Sequence, residues 1–297
     1  MEPSETRRQF GKVFDSVAEA YDAVRSGYPP ALVDLAIERG GFPAGARVLE
    51  IGSGTGKLTE LLVERGLRVD AVEPGPNMAA AARRRVGETD ALTFHIGRFE
   101  DVDLPEQAFD AVFSATAFHW VDPRVGWAKA AAHLKPGGLL ALLVHTEVRD
   151  GQSAAIHDEF VEVLLRHAPA LAAESHPPRE LDAILAGAAE RRDNASAVWD
   201  WLMSDGRHGM TVPEAAPLFE DVEVGSDVRT VDETADDIIA LLRTTSLYFM
   251  IDADRREAFE EDDRRLVERH GGSIRTSVAT LLMTARRTSV SPEASAS

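Results

Sequence analysis

Between residues 47 and 145, five apolar runs of strand length alternate with segments of helical length: RVLEI, RVDAVE, LTFHIG, FDAVFSA and LLALLVH. This βαβα order predicts an α/β fold with a mostly parallel sheet covered by helices on both faces. In such a sheet, ligands gather at the carboxyl ends of the strands, where the loops are free to vary.

The flanking segments extend this plan. Phe10, Val13, Phe14, Val17, Tyr21 and Val24 share one face of a predicted helix over 10–24, which SGYPP breaks before a second helix begins near Pro30. From 150 to 218 the strand pattern stops, and helices are expected over 152–168, 178–191 and 194–203. FEDVEVGSDVRTV and IRTSVATLLMTARR then supply two more strands, with a helical pair between them, for seven in all. The expected units are an N-terminal lid helix (1–29), a binding core (30–149), a helical cap (150–218), the last two strands (219–287) and a disordered tail (288–297).

Composition narrows the ligand. Thirty-two Lys and Arg against 50 Asp and Glu give a net charge of −18, which repels nucleic acid phosphates and anionic membranes. A small-molecule partner is expected instead. With no cysteine there is neither a disulfide nor a thiolate metal site, and His208 has no ligand partner at metal spacing, so no metal is expected. No apolar run approaches a membrane span and the first ten residues lack a signal-peptide core, so a cytoplasmic protein is expected.

The first strand runs into EIGSGTGKL, with Gly52, Gly54 and Gly56 at alternate positions. A phosphate loop would need G-x-x-x-x-G-K-[ST], but Leu58 follows Lys57; a dinucleotide turn would need its third glycine at position 57. Glu50 would repel a pyrophosphate and favour a cation. At the end of the second strand, Glu73 stands where a carboxylate can accept both hydroxyls of a ribose, which suits any nucleoside ligand.

Taken together, Glu50-x-Gly52-x-Gly54-x-Gly56, Glu73, FDAVFSATAFHWVDP and LKPGG resemble, in order and spacing, the class I S-adenosylmethionine-dependent methyltransferases. The resemblance implies a Rossmann-like methyltransferase sheet with an added cap, S-adenosylmethionine as cofactor and S-adenosylhomocysteine as product. It implies cofactor contacts from Glu50, Gly52, Ser53, Gly54, Gly56 and Leu58 of the first loop, and from Ser114, Ala115 and Phe118 after the fourth strand. Pro74 and Met78 would flank the adenine. At the third strand this chain departs from the family pattern, with Arg98 and Phe99 where an acid and an alanine usually stand; Glu100 is the alternative acceptor for the adenine amino group.

The segment VFDSVAEAYDAVRSGYP resembles the lead-in helix of a small-molecule branch that includes trans-aconitate methyltransferase-like proteins. That likeness implies Tyr21 and Arg25 near the methionine carboxylate and Tyr28 near the methyl group or acceptor, where it is a catalytic candidate for a protonated acceptor; Tyr21 as a plain core aromatic is the alternative. His119 is a candidate general base, since imidazole titrates near neutrality, and it is equally a packing neighbour of Trp120, the expected pocket wall. In the later helices Trp199, Trp201 and Met203 are expected in the cap core. Arg243 is the candidate to hold a carboxylate acceptor and Tyr248 a second acceptor contact. The expected reaction is in-line methyl transfer to an O, N or C nucleophile, driven by positioning and exclusion of water, with a base needed only for a protonated acceptor. A cofactor-binding protein without transfer and an NAD-dependent oxidoreductase are the alternatives.

Overall fold

The structure, a computed structural model, describes residues 15–151, 153–207 and 209–289. The start of the expected 10–24 helix, His208 and the tail from 290 lie outside the described residues. Among those described, seven strands form one sheet in the order β3-β2-β1-β4-β5-β7-β6. These are β1 (Arg47–Ile51), β2 (Arg68–Glu73), β3 (Leu92–Ile96), β4 (Phe109–Ala115), β5 (Leu134–Val148), β6 (Phe219–Thr234) and β7 (Ser273–Arg287). β1 to β5 pair in parallel, and β7 runs antiparallel to both β5 and β6. The chain winds outward from β1 to β3 and returns to lay β4 on the other side of β1. That reversal opens a crevice at the β1–β4 carboxyl ends.

Among the described residues five α-helices frame the amino-terminal half: α1 (Ala18–Val24), α2 (Pro30–Gly40), α3 (Lys57–Glu64), α4 (Pro76–Val86) and α5 (Pro123–His133). Both faces of the inner strands β1, β4 and β5 are largely buried, as their continuous apolar runs require, while the edge strands β3 and β6 stay largely open. On β5, Leu140, Leu142 and Val144 pack with Trp127 and Trp199, whereas Leu139, Ala141 and Leu143 pack with Leu32, Leu58 and Leu62. Each fully buried leucine contributes about 1.5–3 kcal/mol relative to exposure, so the strand ends are held firmly where the ligand loops begin.

The helices after residue 150 divide between two cores. Ile184 of α8 (Leu181–Ala189) and Val198, Trp199 and Leu202 of α9 (Ala195–Ser204) join the sheet core itself. Val163 and Leu164 of α6 (Ser153–His167) and Ala172 of α7 (Pro169–Glu174) instead pack with Ile251, Phe259 and Leu266 in a separate cluster. The latter two belong to α12 (Arg256–Arg269). Trp199 thus serves the sheet; Trp201 donates its indole N–H to Ile184 O at 2.8 Å, and Met203 reaches the cavity described below.

The first member of the expected helical pair, TADDIIALLRTTSLYFM, divides into α10 (Ala235–Leu242) and α11 (Ser246–Met250). Two threonines explain the break. The Thr244 and Thr245 hydroxyls donate to Leu241 O and Leu242 O, both at 2.7 Å, and Thr245 caps α11 by accepting from the Tyr248 N–H. Side chains that bond nearby backbone compete with helix continuation. Thr288, assigned to the tail, is fixed by its N–H to Leu218 O at 3.1 Å. Among the described residues no helix is long and apolar enough to cross a membrane.

Candidate functional site

A cavity of 680 Å³ lies at the carboxyl ends of β1, β2, β4 and β5, within the range of ligand pockets. Its floor is the glycine loop. All three glycines have positive φ, +70° at Gly52, +54° at Gly54 and +85° at Gly56, a region costly for other residues. They serve different ends. A Cβ on Gly52 would stand 2.4 Å from Ala117 Cβ, and one on Gly56 would stand 2.8 Å from Ala82 Cβ, so these two allow the loop to pack. A Cβ on Gly54 would meet nothing within 4 Å and would occupy ligand space.

Two buried carboxyls face this cavity. Glu50 accepts from the Thr59 hydroxyl at 2.7 Å. Glu73 accepts from the Gly54 N–H and the Gly75 N–H, both at 2.8 Å, which leaves its remaining lone pairs for a ligand. Burial pushes both up to about 7; for Glu50 the nearby Glu73, and for Glu73 the nearby Asp15, add to the rise. A carboxyl pair so poised gains from a ligand that brings a positive charge and hydroxyl donors. On the same loop, the Ser53 hydroxyl is buried without a hydrogen-bond partner among the described residues.

The lead-in segment closes the cavity through contacts that local sequence patterns do not disclose. Asp15 accepts from the Asn77 and Met78 N–H groups, at 2.8 and 3.1 Å, and so satisfies the exposed first turn of α4. Asp22 pairs with Lys57 at 3.4 Å and Arg85 at 2.8 Å. Arg25 donates to Thr244 Oγ1 and O at 3.1 and 3.0 Å, and lies over the Tyr21 ring. Tyr28 donates to Thr116 Oγ1 at 3.0 Å and stacks on His145 with centroids 4.9 Å apart. Thr116 holds φ +51°, a strained value for a β-branched residue and one met where function over-determines the backbone.

The cavity lining includes Tyr21, Arg25, Tyr28, Glu50, Gly52, Ser53, Gly54, Leu58, Glu73, Pro74, Met78, Arg98, Phe99, Ala115, His119 and Trp120 from the sequence reading. Five other expected residues lie elsewhere. Gly56 is packed against α4, Ser114 turns its hydroxyl into the sheet to Ile51 O at 2.8 Å, and Phe118 packs edge-on against Trp127. Arg243 and Tyr248 both turn to Glu260, with Arg243 as a bidentate partner at 2.7 and 2.5 Å and the Tyr248 hydroxyl at 2.6 Å. The assignment of Arg243 and Tyr248 to the acceptor pocket is therefore corrected: Glu260 of α12 satisfies both. Arg98 likewise pairs with Glu100, whose Oε1 also takes the Asp122 N–H at 3.0 Å. The sequence reading missed Asp15, Thr116, His145, Thr245 and Ser246 and named Met203 only as a cap residue; all reach the cavity through tertiary placement.

An α/β sheet in this strand order, with a glycine loop after β1 and a ribose-type acid after β2, is the class I methyltransferase arrangement. Known proteins agree. A family profile described as a methyltransferase domain matches residues 49–142. An uncharacterized methyltransferase of Mycobacterium tuberculosis is 43% identical over 142 residues, covering 48% of this chain and 55% of the relative. An uncharacterized methyltransferase of Geobacillus sp. strain WCH70 is 32% identical over 155 residues, covering 49% of this chain and 71% of the relative. The chain belongs to this methyltransferase family, and it spans 55% of the length of the first curated relatives it matches. In fold it resembles the solved structure of a candidate type II methyltransferase from Anaeromyxobacter dehalogenans, at 21% identity and TM-score 0.56, over 90% of this chain and 98% of that one.

Proposed function

We propose that the protein transfers a methyl group from S-adenosylmethionine to an O, N or C nucleophile of a small molecule. The observation that carries this reading is the pairing of Glu73 with the Gly54 N–H across an open glycine cradle, beside the buried Glu50. In this reading Glu73 accepts the ribose hydroxyls and Glu50 stands near the cationic end of the cofactor. Pro74, Met78 and Phe99 offer an apolar slot for the adenine, with Glu100 on the same wall. The cofactor supplies an already activated methyl group. The chain's own contribution is to hold donor and acceptor in line and to exclude water, through the lead-in segment clamped by Asp15, Asp22, Arg25 and Tyr28. His119, at the cavity wall beside Trp120, is the candidate base for a protonated acceptor.

The charge of −18 supports a small-molecule acceptor over a nucleic acid. The lead-in residues Tyr21, Arg25 and Tyr28 support the small-molecule branch, and the commitment of Arg243 to Glu260 takes away the cation proposed for a carboxylate. Calorimetry with S-adenosylmethionine, followed by incubation with the tritiated-methyl cofactor and a metabolite extract, tests the reading. Cofactor binding with a labelled small-molecule product is the expected result. Absence of cofactor binding would refute it, and binding without label in any metabolite would favour a non-catalytic binding protein.

A further inference from the structure

The fourth strand ends on a turn that a glycine would make without strain. Thr116, the first residue after β4, donates its N–H to Leu143 O of β5 at 2.8 Å and adopts φ +51°. That left-handed step leads the chain through Ala117, close against Gly52, into the single turn Phe118–Trp120, which carries His119 and Trp120 into the cavity wall. Among the described residues the other non-glycine positions of positive φ are Gln107, Asp205 and Asp221, so Thr116 is the one β-branched residue held there. Its branched Cβ meets a backbone region already costly to any side chain.

What the side chain adds at that cost is a hydroxyl. Thr116 Oγ1 accepts from the Tyr28 hydroxyl at 3.0 Å, and both residues line the cavity. Pro29 follows Tyr28 and favours an extended backbone there. The Tyr28 ring stacks on His145, with centroids 4.9 Å apart and an interplanar angle of 7°. Stacking sets the plane of the ring but leaves it free to slide within that plane. The bond to Thr116 holds its tip and removes the remaining freedom.

We propose that Thr116 is a positioning residue for the transfer: its hydroxyl fixes the Tyr28 ring at the end of the cavity formed by β4 and β5. The left-handed backbone is retained because it brings that hydroxyl to the ring. The inference rests on the proposed methyl transfer and deepens it by adding a residue that acts through Tyr28.

The test compares Thr116→Ala, Thr116→Gly and Thr116→Ser in the full chain. Thermal melting of the ligand-free protein reads the backbone. Alanine and glycine both lack the hydroxyl, and at an ordinary loop position alanine is the more stable; here the glycine variant should melt higher. An alanine variant that melts above the glycine variant overturns the strained turn. Fluorine NMR of protein made with 3-fluorotyrosine reads the clamp. The chain has three tyrosines, Tyr21, Tyr28 and Tyr248, and Tyr28→Phe assigns the signal. That signal should shift and broaden in the alanine and glycine variants and return toward its original position in the serine variant. A signal unmoved by all three substitutions overturns the inference.

Transfer of the tritiated methyl group to a metabolite extract reads the function. Thr116→Ala and Thr116→Gly should each reduce it about tenfold, the scale of one well-made hydrogen bond, with S-adenosylhomocysteine affinity changed less than about twofold. Thr116→Ser should recover most of that loss. In a Tyr28→Phe background Thr116→Ala should cause no further loss, because its effect passes through the tyrosine hydroxyl. Full transfer by Thr116→Ala, or a further tenfold loss in the Tyr28→Phe background, overturns the inference. Absence of transfer by the unmodified protein would refute the proposed function; the melting order and the Tyr28 signal, both read without ligand, would then decide separately whether Thr116 clamps Tyr28.

Discussion

If Glu50 and Glu73 hold a cationic cofactor, then cofactor binding must release protons near neutral pH. Both carboxyls are pushed up to about 7 by burial, against 4.5 for the free side chain, so at pH 7 each is half protonated in the ligand-free protein. A positively charged ligand that also donates hydrogen bonds stabilises the ionised forms and returns their titration toward the ordinary range. The apparent affinity should therefore fall as pH falls below 7. For one group that must ionise to bind, the ionised fraction drops from about nine-tenths at pH 8 to about one-tenth at pH 6, a tenfold loss worth about 1.4 kcal/mol.

Calorimetry at pH 7 in two buffers of different ionisation enthalpy reads this directly. Release of about half a proton per participating carboxyl is expected, and Glu50→Gln should remove one share of it. The ligand-free protein should show the complementary trend. Acids whose folded titration is raised contribute stability that is present below pH 4.5 and is lost as pH rises through 7, because the folded state binds more protons across that window. The thermal midpoint of the ligand-free protein should decline from pH 5 to 7.5 and that of the cofactor-bound protein much less. Binding that is indifferent to pH between 6 and 8, with no buffer dependence, would refute the placement of these two acids against the cofactor's charge.

Three substitutions probe the rest of the site. Gly54→Val should abolish cofactor binding while costing about 1–2 kcal/mol of stability from its left-handed backbone, read by calorimetry and thermal melting together. Arg243→Ala removes an ion pair whose arginine is largely exposed; it should cost at most about 1 kcal/mol and leave turnover unchanged, whereas a large rise in KM would restore Arg243 to the acceptor site. Asp15→Ala strips the acceptor from the first turn of α4 at a cost of about 1 kcal/mol, and should speed proteolysis within the lead-in segment more than elsewhere.

The cofactor half of the site was legible because its chemistry is local. Gly52, Gly54 and Gly56 signal a backbone that only glycine adopts cheaply, and strand periodicity alone carries Glu73 to the end of the strand beside it. The acceptor half was not legible, because no local pattern records a pairing made across the fold. Arg243 looked available beside an apolar helix face until Glu260, seventeen positions on, satisfied it. His145 looked like the last residue of an apolar strand. Its surroundings emerge only when Thr280 from β7 is brought to its Nδ1 and Tyr28 from the lead-in segment onto the face of its ring. Sequence motifs thus reveal the part of a site that binds a ligand through backbone shape. The part that binds through committed and uncommitted side chains depends on which partner each charge finds, and here acids withdraw Lys57, Arg98 and Arg243, whereas Arg25 meets only the uncharged Thr244.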